Sequence, residues 1–196
     1  MGMKKQYTAY ANLACLLLLT QSATLLAQTT ENGAATANCQ IQIQGRFIEG
    51  APRDRFVFTN NSADGWNIEQ LVLALESSNG KLIFDTTDQG AGVEVFQPFR
   101  TESNSASLSA EPDITDGDQN VTLSFSQFTA GETFQFSIDV DDQLTRSELG
   151  QIRVANSEMQ GALVQLELVG EQGQTMDLTV EFDGSSRFEL TADACA

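Results

Sequence analysis

The sequence predicts an all-β fold: a single antiparallel β-sandwich, jelly-roll-like, with about nine or ten strands. Three observations carry this. Apolar and polar residues alternate over short runs, the period of a half-buried strand. Turn-forming Gly, Asn and Asp separate the runs at short intervals. No long segment repeats its apolar residues at helical spacing.

The elements follow in order. Ile41 and Ile43 open a strand that continues to Phe47. Phe56 and Phe58 mark the second. Ile68, Leu71, Leu73 and Leu75 mark the third, with a phase slip near Gln70 that predicts a bulge. Leu82-Ile83-Phe84 and Val93 with Val95 give two more. Val121, Leu123 and Phe125 are expected to pair, across Phe128-Thr129-Ala130-Gly131, with the strand Phe134-Gln135-Phe136-Ser137-Ile138-Asp139-Val140-Asp141. Ala162 to Leu168 turns through Gly170-Glu171-Gln172-Gly173 into Met176 to Phe182, and Asp183-Gly184 leads to Phe188 and Leu190. Residues 101–120 read as a long surface connection, and 143–154 as room for one helical turn, with Leu144 and Glu148 suitably spaced.

The first 27 residues have the pattern of a secretory signal peptide. Lys4 and Lys5 precede an apolar stretch centred on Leu13 to Leu19, and Ala27 offers a small residue for cleavage. Residues 28–38 read as a disordered leader and 39–196 as the sandwich domain. No later segment is apolar enough to span a bilayer as a helix, so no membrane insertion is expected. An exported chain carrying Cys39 and Cys195 near its two ends suggests one end-to-end disulfide, with two free thiols as the alternative.

Charge and composition exclude several function classes. The chain holds 27 acidic against 10 basic residues, and two of the ten are Lys4 and Lys5. Such a surface repels nucleic acid and anionic lipid and attracts cations or basic partners. With no histidine, Ser-His-Asp catalysis and the commonest zinc ligand are both absent. Trp66 is the only tryptophan, few aromatics for a sugar hydrolase.

The remaining chemistry is carboxylate chemistry. Alternation puts Phe134, Phe136, Ile138 and Val140 on one strand face and Asp139 and Asp141 on the other, with Asp142 adjoining. Close carboxylates repel unless water, Arg or a hard cation intervenes, and calcium takes about six to eight oxygens. Asp139, Asp141 and Asp142 are therefore the first candidate calcium ligands. Asp113, Asp116, Asp118 and Asn120, with Gly117 allowing a tight turn, form a second group, and Asp85 with Asp88 near Gly90-Ala91-Gly92 form a third. None of these fits the EF-hand pattern. Arg53, Asp54 and Arg55 read as a structural charge cluster at a strand entry.

Several strings occur in a recognisable order: Glu49-Gly50-Ala51-Pro52-Arg53-Asp54-Arg55-Phe56, Lys81-Leu82-Ile83-Phe84-Asp85, and Gly90-Ala91-Gly92-Val93-Glu94-Val95-Phe96-Gln97-Pro98-Phe99. Asp116-Gly117-Asp118, Ile138-Asp139-Val140-Asp141-Asp142 and Glu158-Met159-Gln160-Gly161-Ala162 follow. Across residues 45–162 the chain resembles the secreted bacterial proteins labelled aggregation factor core, named by similarity to the core protein of sponge aggregation factors. The sponge factors are extracellular, adhesive and calcium-dependent, and the family offers no catalytic motif to transfer.

Together these readings lead to the expectation of a secreted, non-enzymatic, calcium-stabilised binding or adhesion module. Its partner would be an extracellular glycan or protein, self-association included. The alternatives are a glycoside-active enzyme using two carboxylates and a metal-free structural extracellular protein.

Overall fold

A computed structural model describes residues 39–50, 53–63 and 65–194. The expected signal peptide and leader, and Cys195 of the expected disulfide, lie outside the described residues. Cys39 lies within them, and its carbonyl accepts the Ala194 N–H at 2.8 Å, so the two ends of the described domain run side by side.

The strands are β1 (Gln40–Ile48), β2 (Asp54–Asn60), β3 (Trp66–Ala74), β4 (Ile83–Asp85), β5 (Arg100–Thr101), β6 (Ser107–Leu108), β7 (Asn120–Gln127) and β8 (Thr133–Asp141). One helical turn, α1 (Asn156–Met159), precedes β9 (Leu163–Gly170), β10 (Thr175–Glu181) and β11 (Arg187–Asp193). Two antiparallel sheets pack together. One runs β11-β1-β2-β8-β4, with β5 also paired to β8, and the other runs β10-β9-β3-β7-β6. The chain changes sheet between β2 and β3, β3 and β4, β5 and β6, β7 and β8, β8 and β9, and β10 and β11. Packing the two sheets face to face lets these short amphipathic strands bury their apolar faces against one another.

The alternation read from sequence sets the core. Ile41, Ile43 and Phe47 of β1, Phe56 and Phe58 of β2, and Phe134, Phe136, Ile138 and Val140 of β8 face inward and are buried. They meet Ile68, Leu71, Leu73, Val121, Leu123, Val164, Leu166 and Leu168 of the other sheet. Phe56 stacks on Phe136 with centroids 5.1 Å apart, and Phe125 meets Phe134 edge-on across the sheets at 5.0 Å. Gly45 lies opposite Phe188 in the β1–β11 register, and a Cβ there would fall on the Phe188 ring, so β1 must carry glycine at that core position. The predicted bulge is present: the β3–β9 register shifts between Ile68 and Gln70.

Four expectations are corrected. Val93 and Val95 do not form a strand. Glu94 has φ 65° and Val95 is exposed, so this stretch is an irregular strap. β7 and β8 do not pair as a hairpin but belong to different sheets. Buried Asn60 explains the crossing, because its Nδ2 donates to the carbonyls of Trp66 (3.1 Å) and Phe128 (3.0 Å) and ties the corner to β3. Residues 101–120 contain the short β6, and β5 reaches Thr101. No helical turn forms in 143–154; α1 lies just beyond, at Asn156–Met159. Buried Glu158 accounts for this, since its Oε2 accepts the Ala155 N–H at 2.7 Å and starts the helix there. Its Oε1 accepts the Glu148 N–H at 2.9 Å, which holds the preceding segment in an extended loop.

Candidate metal centre

The acidic face of β8 is covered. Asp85 of β4 and Asp139 of β8 are directly opposite partners, as are Ile83 and Asp141. Directly opposed like charges destabilise a sheet, so this register needs compensation. The β4 end is fixed by the loop before β7: Gly117 N–H donates to the Phe84 carbonyl (2.9 Å) and Phe84 N–H donates to the Asp118 carbonyl (2.8 Å). The strap then closes over the pair. Val93 N–H donates to Asp141 Oδ2 at 2.6 Å, Gln97 N–H donates to the Asp85 carbonyl at 3.2 Å, and Asp139 N–H donates to the Gln97 carbonyl at 3.0 Å. Gly92 is required at the seat, because a Cβ there would land on the Asp85 and Asp141 carboxyl groups.

The result is a group of carboxyls removed from water. Asp139 and Asp141 are 0% exposed, Asp142 1% and Asp85 3%. Both oxygens of Asp139, and one oxygen each of Asp85, Asp141 and Asp142, have no hydrogen-bond partner. Among the described residues the ion pair within 4.0 Å is Arg153–Glu49, so no cationic side chain neutralises the group directly. Burial, then the repulsion of Asp141 and Asp85, pushes the Asp139 carboxyl up to about 8. Burial also raises Asp141 to about 7, with Asp85 and Asp142 adding repulsion against the stabilising Val93 N–H. Asp85 rises to about 6, again first by burial and then by Asp116.

Of the sequence-predicted ligands, the structure brings Asp85, Asp139 and Asp141 together, with Asp142 beside Asp141. Asp142 Oδ1 accepts the Leu144 N–H at 2.8 Å, which leaves Oδ2 unpaired. Asp116 neighbours Asp85, but its oxygens are already occupied. Oδ1 accepts the N–H groups of Thr86 (2.7 Å) and Thr87 (3.1 Å), and Oδ2 accepts that of Ala91. Burial alone would raise its pKa, yet those N–H donors outweigh burial and hold it below the ordinary value. Asp118 Oδ2 accepts the Thr115 N–H at 2.7 Å, a local turn contact.

Asp54 was expected to be part of a structural charge cluster with Arg53 and Arg55. It instead stands 1% exposed at the same end of the sheet. Its Oδ1 accepts the Gly50 N–H at 2.9 Å and its Oδ2 accepts the Val140 N–H at 3.1 Å, which extends the β2–β8 contact past the last paired residues. Burial, then Glu49, pushes it up to about 9. The signal was in the sequence: the Asp54-x-Phe56-x-Phe58 alternation puts this Asp on the core face.

The donors fit a hard cation in kind, being all carboxylate oxygens with several free lone pairs. Among the described residues, however, no group of three or more His, Cys, Asp or Glu is arranged to hold an ion as it stands. Binding would require the Asp85, Asp139 and Asp141 carboxyls to turn onto a common point. Neither a family model, nor a curated protein, nor a solved structure matches the chain.

Proposed function

We propose that the chain is an exported, calcium-stabilised binding or adhesion module, with the ion held by Asp85, Asp139 and Asp141 and assisted by Asp142. The observation that carries this is Asp139, fully buried with both oxygens unpaired between two further carboxyls. A charged carboxylate in that position is unfavourable by several kcal/mol unless a proton or a cation neutralises it. Calcium supplies the neutralisation and would fix the strap to β8 through the same carboxyls. The resemblance to aggregation factor core proteins and the acidic composition support the same reading.

The glycosidase alternative needs two carboxyls open to a sugar, whereas these are sealed under the strap. The metal-free structural protein is the second reading. It is favoured by the lack, among the described residues, of a ready-made three-donor arrangement, with shared protons then neutralising the cluster. Calorimetric titration of the chelator-treated protein with calcium separates the two. The proposal expects saturable binding that Asp139→Asn abolishes. Absence of binding heat and of competition with a calcium dye at millimolar calcium would overturn it in favour of the metal-free module.

A further inference from the structure

The outer face of the first sheet concentrates the scarce positive charge of this acidic chain. Beyond the leader the basic residues are Lys81 and seven arginines, and four of those arginines share this one face. Arg46 of β1 and Arg187 of β11 are direct register partners. Arg55 of β2 and Arg100 of β5 both oppose Ser137 of β8, from its two sides. Each stands out of phase with the inward-facing Phe47, Phe56, Phe136 and Phe188, so all four point away from the core.

The arrangement is unfavourable for the free protein. Like charges directly opposite across strands destabilise a sheet. Among the described residues none of the four makes an ion pair within 4.0 Å, and Arg55 Nε is buried without a hydrogen-bond partner. Arg187 does lend some charge to Asp183, whose carboxyl is held low first by the Ser185 hydroxyl and backbone N–H. With 27 acids in the chain, unsatisfied cations gathered on one face are an anion-recognition feature.

Between Arg46 and Arg187 lies a groove of about 370 Å³. Its walls add Gln44, Gln135, Thr59 and Thr133, with Val57 as the apolar floor and Glu189 at the rim. We infer that this groove binds a carboxylated polysaccharide of the polyuronate type. Guanidinium forks pair with uronate carboxylates bidentately, amides and hydroxyls satisfy ring hydroxyls, and Val57 meets a C–H face. Glu189 can accept from a sugar hydroxyl.

A protein partner fits less well. The groove opens on the face of the sheet, across β11, β1, β2 and β8, whereas a peptide adds as a strand only along an edge. Its apolar lining is Val57 and the core residue Phe188, both buried, so it presents no exposed aromatic anchor for a protein hot spot. This inference stands apart from the calcium reading, because none of the groove residues belongs to the carboxyl cluster.

The test is calorimetric titration of the exported chain in EDTA, with polygalacturonate as the probe. Fully methyl-esterified polygalacturonate and poly-glutamate are the controls, and Arg46→Gln with Arg187→Gln is the variant. Binding to polygalacturonate is expected, weakened about tenfold or more by esterification and by the double substitution. The melting temperature of the variant should be unchanged or higher, because a like-charge pair is removed. Arg46→Lys with Arg187→Lys, which keeps charge but loses the fork, should fall between the two. The inference is overturned if the wild type does not bind polygalacturonate, if both variants bind as wild type does, or if poly-glutamate binds equally well.

Discussion

Asp116 and Asp139 both neighbour Asp85, and they meet opposite environments. Asp116 sits in a loop whose backbone turns toward it, and three N–H groups occupy its oxygens. Its charge is welcome, and its pKa falls. Asp139 sits within a strand whose own N–H is spent on the Gln97 carbonyl, and its carboxyl oxygens are left unpaired. Its charge is unwelcome, and its pKa rises to about 8. Acidity in sequence therefore says little about a ligand; what matters is whether backbone donors have already answered the carboxylate. Loops can bend their N–H groups toward an anion, while strands commit theirs to the ladder.

The largest consequence is in pH. Carboxyls with raised folded pKa values favour the folded state when protonated. Their stabilising contribution is full below about 4 and is lost as pH rises through about 6, 7 and 8 for Asp85, Asp141 and Asp139. In EDTA the melting temperature should fall between pH 5 and pH 8 by well over the roughly 2–4 °C that 1 kcal/mol moves a domain of this size. A flat or rising profile would erase the contrast with Asp116.

The next test removes the satisfied partner. Asp116→Ala leaves the Thr86, Thr87 and Ala91 N–H groups without their acceptor and should destabilise by about 2 kcal/mol, roughly 4–8 °C, with or without calcium. Thermal unfolding in both conditions checks it. Gly92→Ala sharpens the comparison from the strap side. Its Cβ falls on the Asp85 and Asp141 carboxyls, so the strap must lift. Faster amide exchange at Val93 and Gln97 is the expected readout, and unchanged protection at both would contradict the seat described here. The smallest effect is that of Asp139→Asn in EDTA at pH 8. Loss of the buried charge should raise the melting temperature by roughly 2–4 °C, since the amide also finds few partners.

Most strands were legible because alternation is a local signal. The paired runs at Ile41 and Ile43, Phe56 and Phe58, and Phe134 to Val140 each report which face meets the core. Sheet membership was not local. The β7–β8 segment reads as a hairpin, yet Asn60, distant in sequence, draws its corner onto β3. The Val93–Val95 alternation misled because Val93 N–H donates to the Asp141 carboxyl and Val95 N–H to the Val93 carbonyl, rather than to a neighbouring strand. At the site, Asp139, Asp141 and Asp85 were legible as acids near strand ends. That Asp116 is satisfied depends on loop N–H groups directed at it, whereas the burial of Asp54 follows from the Asp54-x-Phe56-x-Phe58 alternation, which the charge-cluster reading passed over.

The central claim is that Asp139 and its neighbours are completed by a hard cation, and thermal unfolding tests it most directly. In about 1 mM calcium at pH 7.5, a site saturated about a hundredfold adds roughly 2.7 kcal/mol, which should raise the melting temperature over that in EDTA by roughly 5–11 °C. Asp139→Asn should show no such rise, while Asp116→Ala should keep it. Superimposable wild-type curves in calcium and EDTA would contradict the account and leave a proton-neutralised, metal-free sandwich in its place.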